Sequence, residues 1–255
     1  MEHEQGYVIM ALQHEQADYL RMATALAVSV RYWHPHSKIC LITDSEYTSP
    51  VFDFHQRIRR TDPANAWADD WQCFVQTPFR ETIKLEADML VVSPIDHWWS
   101  LCRHRDVLIS VGCKNWKNQV SGNRVYRRIF DDNDLPDVYN AVTYWRLSET
   151  ARNFWVTVRD IFQNWDHWKQ CIKFADAVPS TDLVYAMAAQ ILGPELVTMP
   201  FASYPRITHM KQHHAGTRTH SWSNELVWEM LDGNLRIQTV AQHGAVHYVD
   251  KHWQL

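Results

Sequence analysis

The chain has 255 residues, of which 46% are hydrophobic and 21% are charged, and its formal net charge is -4. This composition excludes an intrinsically disordered protein and is sufficient for one sizeable core. The charge provides no general attraction to nucleic acid or anionic lipid. Arginines cluster locally at 57–60, 103–105 and 124–128, and we interpret these clusters as solvated surface balanced by nearby acids.

The cysteines and the N-terminus indicate a reducing compartment. Five cysteines form no C-x-x-C pair, and the first residues, MEHEQ, do not resemble a signal peptide. No apolar run approaches the roughly 20 residues that span a bilayer. An odd number of cysteines without a secretory leader is typical of the cytoplasm, where we expect this protein to reside.

The seven glycines are widely separated in the sequence. Both the P-loop and the G-x-G-x-x-G turn need clustered glycines to let phosphate approach the backbone, so neither motif is present. A nucleotide bound here would need another partner for its phosphates, and a metal ion would serve.

The N-terminal segments predict a βαβ unit. Residues Gly6–Leu12 form a buried strand, Tyr19–Tyr32 carries apolar residues at helical spacing, and Lys38–Thr43 forms a second strand. Two strands joined by a helix pair in parallel, and ligands of such sheets bind beyond the carboxyl ends of the strands. Ala11–His14 and Asp44 would lie at that edge.

The segment Thr82–Val92, TIKLEADMLVV, predicts a strand that carries two acids. Alternate side chains of a strand share a face, so Lys84, Glu86 and Asp88 point the same way. Two carboxylates beside a lysine suit a magnesium or manganese ion that is shared with a phosphate ligand. A strand whose charged edge runs into solvent would show the same pattern.

The following elements continue the alternation of helices and strands. We predict a tryptophan-rich helix and loop at 63–76, a helix at His97–Cys102, a strand at Val107–Val111, a long loop or lid at Asn115–Asp134, a strand at Tyr139–Leu147, a helix from Ser148 to about Trp165, a helix at Asp182–Leu192 capped by Ser180 or Thr181, and short strands at 195–255. Without an internal repeat or a linker, the prediction is one domain.

The C-terminal segment contains His247 and Lys251, an imidazole and a point charge suited to phosphate. No H-E-x-x-H motif accompanies the fifteen histidines, so a zinc site is not indicated. Most of the thirteen tryptophans should pack in the core, because large aromatic side chains dominate burial.

The order of these features resembles the GT-A fold glycosyltransferases, especially the glycogenin and galactosyltransferase-like group. The features are the βαβ unit, Glu86-Ala87-Asp88, Tyr139-Asn140-Ala141-Val142, the helix-opening Asp182, and His247-Tyr248 with Lys251. Thr208-His209-Met210-Lys211 and the tail also resemble small glycosyltransferases of tailed phages. The resemblance implies an α/β fold, a single GT-A (Rossmann-like) domain over 1–255, with a mostly parallel central sheet flanked by helices. Residues 1–112 would bind the nucleotide, and 113–255 the donor sugar and acceptor, with a metal-binding tail.

The resemblance also implies a metal site. Asp88, Glu86 and His247 would ligate Mn²⁺ or Mg²⁺, with Glu86 standing where the Asp-x-Asp signature has its first Asp. Lys84 and Lys251 would neutralise the donor's diphosphate.

The remaining implied contacts concern the nucleotide and the sugars. Ala11, Gln13 and Asp44 would contact base and ribose. Asn140 would face the donor sugar, and Asp182 would contact the sugar or the acceptor. Asn140 also fits a residue at a strand start, and Asp182 an acid favoured at a helix N-terminus.

The implied function is metal-dependent transfer of a sugar from a nucleotide-diphosphate donor to an acceptor hydroxyl, with retention of configuration. The phage resemblance implies host cytoplasm and, as acceptor, a hydroxymethylated DNA base flipped from the duplex, with no membrane partner. The alternative is a non-catalytic module that binds carbohydrate or nucleic acid on a degenerate transferase scaffold. A sugar nucleotidyltransferase would need a glycine-rich first loop, which Gln13–Gln16 does not supply.

Overall fold

The computed structural model describes residues 3–62, 65, 67–173, 176–198, 207–251 and 253. Its strands are β1 His3–Met10, β2 Ile39–Thr43, β3 Phe54–Arg57, β4 Phe79–Glu86, β5 Met89–Val91, β6 Val107–Val111, β7 Val138–Arg146, β8 Ile207–His209, β9 Trp228–Leu231, β10 Asn234–Ile237, β11 Val240–Ala241 and β12 Ala245–His247. Its helices are α1 Tyr19–Trp33, α2 Gln72–Gln76, α3 His97–Cys102, α4 Arg128–Asp132, α5 Glu149–Gln163, α6 Trp165–Trp168, α7 Thr181–Leu192, α8 Pro194–Val197 and α9 Gln212–Ala215.

The central sheet has six strands in the order β3-β2-β1-β4-β7-β6. Strand β1 pairs in parallel with β2 and with β4, and β2 pairs in parallel with β3. Only β7 runs antiparallel to its neighbours β4 and β6. The predicted βαβ unit and the mostly parallel sheet are therefore confirmed.

Each face of this sheet packs against its own hydrophobic layer. Along β1, Tyr7 and Ile9 join the layer that contains Leu26 of α1, whereas Val8 joins the layer that contains Phe154 of α5 and Val184 of α7. This alternation follows from the two-residue period of a strand. Helices on both faces leave the carboxyl edge of the sheet as the place where polar side chains can converge.

The predicted helix boundaries are close to the observed ones. The Ser148 hydroxyl accepts a hydrogen bond from the Ala151 N–H at 3.1 Å and caps α5. Ser180 caps α7, because its hydroxyl accepts from the Leu183 N–H at 3.3 Å. Gly193, at φ 99, follows the last residue of α7, in a conformation that favours glycine.

The predicted single strand Thr82–Val92 is two strands in different sheets. Strand β4 ends at Glu86, the chain turns at Ala87 and Asp88, and β5 pairs antiparallel with β12 in a second sheet of order β5-β12-β8. The prediction was wrong because residues on both sides of the turn are apolar and buried. Periodicity does not separate one long buried strand from two short ones.

The second sheet brings the C-terminal segment to the turn at Asp88. Strand β12 pairs His247 with Met89 on one side and with His209 of β8 on the other. The Tyr248 N–H also donates to the Asp88 carbonyl at 3.0 Å. The tail therefore folds back against the carboxyl end of β4.

The predicted loop or lid at Asn115–Asp134 contains helix α4 and is tied to α9. The Trp116 indole N–H donates to the Ala215 carbonyl at 2.8 Å, and the Asn123 amide donates to the His213 carbonyl at 2.8 Å. The polar composition of this segment reflects internal hydrogen bonds and ion pairs, which a sequence pattern does not distinguish from solvation.

Some predictions fall on residues outside the described ranges. These are positions 63, 64 and 66 of the tryptophan-rich segment and positions 199–206, 252, 254 and 255 of the C-terminal region. Across the described residues, none of the helices has the length and apolar character needed to cross a bilayer.

Candidate functional site

A cavity of about 360 Å³ lies at the carboxyl ends of β1 and β4, next to the second sheet. Its walls carry an unusual density of ionisable groups. These are the acids Asp70, Glu86, Asp88 and Asp182, the lysines Lys84, Lys211 and Lys251, and the histidines His14, His209 and His247. A concave site with converging charged groups is the expected place for ligand binding.

The turn after β4 and the end of β12 bring three potential ligand atoms together. His247 Nε2 lies 3.3 Å from Glu86 Oε2 and 3.1 Å from Asp88 Oδ1. One ligand atom from each of the three residues lies within 4.8 Å of the others. The predicted meeting of the C-terminal imidazole with the acidic pair is confirmed.

Lys251 completes this cluster. Its ammonium donates a hydrogen bond to Asp88 Oδ2 and lies 4.7 Å from the centre of the Tyr19 ring. Asp88 is therefore held between an imidazole and an ammonium, whereas the Glu86 carboxylate lies against the imidazole and accepts a hydrogen bond from the Asn140 amide at 3.4 Å.

The pKa values of the two acids move in opposite directions. Burial would raise the pKa of Asp88, but His247 and Lys251 outweigh it and hold that pKa far below its usual value. Burial raises the pKa of Glu86, and repulsion from the Asp88 carboxylate raises it further. His247 acts in the other direction but does not cancel the rise. Asp88 is the firmly ionised member of the pair.

His247 responds to the same charges. Burial would lower its pKa, but the Asp88 carboxylate outweighs burial and raises it. To bind a divalent ion, this cluster would need a neutral His247 imidazole and two ionised carboxylates. The charge of the ion would then replace that of the proton on His247. Two carboxylate oxygens and one imidazole nitrogen can together hold a divalent metal ion.

Lys84 is already neutralised within the protein. Its ammonium lies 2.7 Å from Asp70 Oδ1, and the Tyr185 hydroxyl donates to the other oxygen of Asp70. Burial would lower the pKa of Lys84, but Asp70 outweighs it and raises it. The predicted contact of Lys84 with a diphosphate stays a prediction, and Asp70 would compete with it.

Asp182 and Asn140 are joined to each other. Asp182 Oδ1 accepts from the Asn140 N–H at 2.8 Å, and Asp182 Oδ2 accepts from the Arg127 guanidinium at 2.9 Å. Asp182 also lies in the first turn of α7, where a negative charge is favoured. The position of Asp182 therefore fits both an acid that stabilises the N-terminus of α7 and an acid that contacts the sugar or the acceptor.

Ala11, Gln13 and Asp44 lie at the same edge of the sheet, as the parallel strands require. The Ala11 N–H donates to the Ile42 carbonyl at 2.9 Å, and the Gln13 N–H donates to Asp44 Oδ1 at 2.9 Å. Gln13 lines a more open groove that also includes Arg60 and Lys251. The contacts of Ala11, Gln13 and Asp44 with the base and ribose of a nucleotide stay predictions.

The arginine cluster at 124–128 is largely occupied by acids. Arg124 pairs with Asp131 and, at 2.6 Å, with Asp137, and Arg127 pairs with Asp137 and Asp182. The interpretation of charged surface with balancing acids is correct for Arg124. Arg127 is only 1% exposed, so for this residue the surface interpretation was wrong.

Several residues of the cavity were not predicted from the sequence as site residues. Asp70 follows no pattern that separates it from surface acids. His209 and Lys211 belong to the motif Thr208–Lys211, which carried part of the resemblance but predicted no role for either residue. His209 is buried, its Nδ1 has no hydrogen-bond partner among the described residues, and its ring centre lies 4.6 Å from that of His247. The two-residue alternation of side chains along β8 was the sequence feature that could have predicted the position of His209.

His214 provides a test of the network behind the cavity. It is buried, hydrogen-bonds Ser121 and Tyr126, and burial lowers its pKa to about 4. The unfolded chain therefore binds a proton between pH 6.5 and 4 that the folded chain excludes, so stability should fall by about 3 kcal/mol as pH falls through that window. Urea unfolding at pH 7, 5.5 and 4 measures this loss.

The substitution His214→Asn should flatten that pH dependence, whereas the same change at the exposed His36 should leave it as in the parent protein. Parallel pH profiles for the parent and His214→Asn would contradict the assignment.

No protein-family model matches the sequence, and no curated protein is significantly similar to it. Among solved structures, the apo form of glycosyltransferase GlyE from Streptococcus pneumoniae TIGR4 is similar with a TM-score of 0.52 and 10% identity, over 96% of this chain and 54% of that one. A second GlyE structure has a TM-score of 0.48 and 9% identity, over 78% and 45%. The chain spans about half the length of these structures. At such identity the apo-form structure shows a shared fold.

Proposed function

We propose that this protein is a metal-dependent glycosyltransferase of the GT-A type, which moves a sugar from a nucleotide-diphosphate donor to an acceptor hydroxyl. The observation that carries the proposal is the convergence of Glu86, Asp88 and His247 at the carboxyl edge of a parallel sheet. The fold shared with a glycosyltransferase structure supports it.

The residues of the cavity fit this chemistry. A divalent ion held by Glu86, Asp88 and His247 would supply positive charge to the donor's diphosphate. With Asp88 engaged in holding the ion, the ammonium of Lys251, which now pairs with Asp88, would be available to donate to a phosphate oxygen. Electrostatic stabilisation of the leaving group is usually the largest contribution to such catalysis.

Asp182 would position the sugar. Its carboxylate is held by hydrogen bonds from Arg127 and from the Asn140 N–H, and it lines the cavity. A fixed carboxylate there would stabilise positive charge on the sugar, without a strong separate base. This arrangement is compatible with a retaining reaction.

We limit the acceptor to a molecule with a free hydroxyl. Arg124 and Arg127 already bind acids and offer no unpaired charge to a DNA backbone, so a hydroxymethylated base and a phage origin gain no support from the site. Reaction in the cytoplasm is supported by five free cysteines, of which four are buried.

The proposal is tested by thermal unfolding with a panel of nucleotide sugars and Mn²⁺. One donor should raise the Tm with Mn²⁺ present and not in EDTA, since only the folded protein binds it. Hydrolysis of that donor, followed by release of the nucleoside diphosphate, should then depend on Mn²⁺. A stabilising donor that is never turned over would favour the non-catalytic binding module, and a panel without any stabilising donor would contradict both.

A further inference from the structure

Three lysines line the cavity, and they differ in their partners. Lys84 pairs with Asp70, and Lys251 pairs with Asp88. Lys211 makes no ion pair with any described residue, and its ammonium lies 4.1 Å from the centre of the Tyr126 ring. It is the cation of the cavity whose charge the described part of the protein leaves unmatched.

The backbone holds Lys211 firmly beside the metal-type cluster. Strand β8 pairs His209 with His247, and the Met210 N–H donates to the His247 carbonyl at 2.9 Å. The Lys211 carbonyl then accepts from the His214 and Ala215 N–H groups at 2.8 and 2.9 Å. The same strand pair thus fixes the positions of His247 and Lys211.

The acid whose charge acts most strongly on Lys211 is unsuited as its permanent partner. Asp182 is within electrostatic range, but its two oxygens already accept hydrogen bonds from Arg127 and from the Asn140 N–H. The Tyr126 ring offsets only part of the cost of removing the ammonium from water. The Lys211 ammonium is therefore available to a negative charge on a ligand.

The charges of the whole cavity indicate what that ligand is. The cavity is lined by four carboxylates and by three ammonium groups, those of Lys84, Lys211 and Lys251. With a divalent ion on the cluster and neutral histidines, these lining groups carry one positive charge in excess. A nucleoside-diphosphate sugar is a dianion, so its negative charge suits a cavity with that excess.

We propose that Lys211 binds the terminal phosphate of the donor's diphosphate, the group that leaves the sugar; this inference rests on the proposed function. During transfer, the bond between the sugar carbon and the phosphate oxygen breaks, and its electron pair stays on that oxygen. The acceptor oxygen bonds to the sugar carbon, and its proton passes to the departing phosphate. Lys211 stabilises the negative charge that grows on the diphosphate.

The test is isothermal titration calorimetry in Mn²⁺ with UDP, GDP, ADP and CDP, and then with the monophosphate of the nucleotide that binds. Lys211→Met keeps the stem of the side chain and removes the charge. This substitution should weaken the binding of the diphosphate by about 10- to 100-fold, the range for a hydrogen bond to a charged group. The affinity for the monophosphate should stay unchanged. Lys211→Arg should retain part of the affinity.

A matched control is Lys117→Met. Lys117 also lies over an aromatic ring, Trp116, at 5.1 Å, but it is exposed and outside the cavity. It should bind both nucleotides like the parent. Equal losses for diphosphate and monophosphate, or an unchanged diphosphate affinity in folded Lys211→Met, would overturn the role of Lys211. Failure of the parent protein to bind any diphosphate would instead overturn the proposed function.

Discussion

Replacing Asp88 with asparagine is expected to abolish Mn²⁺-dependent turnover of the donor, with a loss of at least about 100-fold. Asp88 contacts both His247 and Lys251, and it is the acid whose pKa is held far below the usual range. Asparagine keeps the size of the side chain but supplies no charge. Mn²⁺ affinity, measured by calorimetry, should fall together with turnover.

A suitable control is Asp96→Asn. Asp96 also pairs with an imidazole, that of His34, at 2.9 Å, but it lies outside the cavity. This variant should keep both Mn²⁺ affinity and turnover. Circular dichroism should show that Asp88→Asn folds, and full activity in the folded variant would refute the metal site.

Replacing Arg127 with methionine is expected to destabilise the fold by about 3–5 kcal/mol, the usual cost of removing one partner from a buried ion pair. Arg127 is 1% exposed and is the shared partner of Asp137 and Asp182, and its guanidinium also packs 3.8 Å from the centre of the Phe130 ring. Methionine fills similar space, but it leaves Asp182 without the guanidinium that pairs with it and leaves Asp137 paired with Arg124. Urea unfolding at pH 7 measures the loss.

Arg124→Met provides the comparison. Arg124 also pairs with Asp137, but its side chain is 37% exposed, so water can replace the lost contact. We expect a loss of about 1 kcal/mol or less, as for other exposed ion pairs. Similar losses in both variants would show that burial of Arg127 does not set its contribution.

The parts of the fold that sequence predicts well are those with local causes. The Ser148 and Ser180 caps each depend on a residue three positions away, and the βαβ unit is complete within residues 3–43. The turn at Asp88 has no such local cause, because β5 pairs with β12, which is distant in the sequence.

The candidate site shows the same division. Glu86, Asp88 and His247 were predicted to meet, on an acidic pattern and a resemblance in the order of motifs, and they do. The pairing of Lys84 with Asp70 was missed, since its partner lies in an irregular segment before α2. Whether a charged side chain is free or paired depends on tertiary neighbours.

The Lys251–Asp88 contact joins residues 163 positions apart. A chain still on the ribosome that has completed every strand up to β11 already carries both acids, but not the imidazole or the ammonium that lie against them. During translation, the two halves of the ion cluster therefore meet only after β12 and Lys251 have been synthesised. Until then, Glu86 and Asp88 lack the imidazole and the ammonium that lie against them in the folded chain.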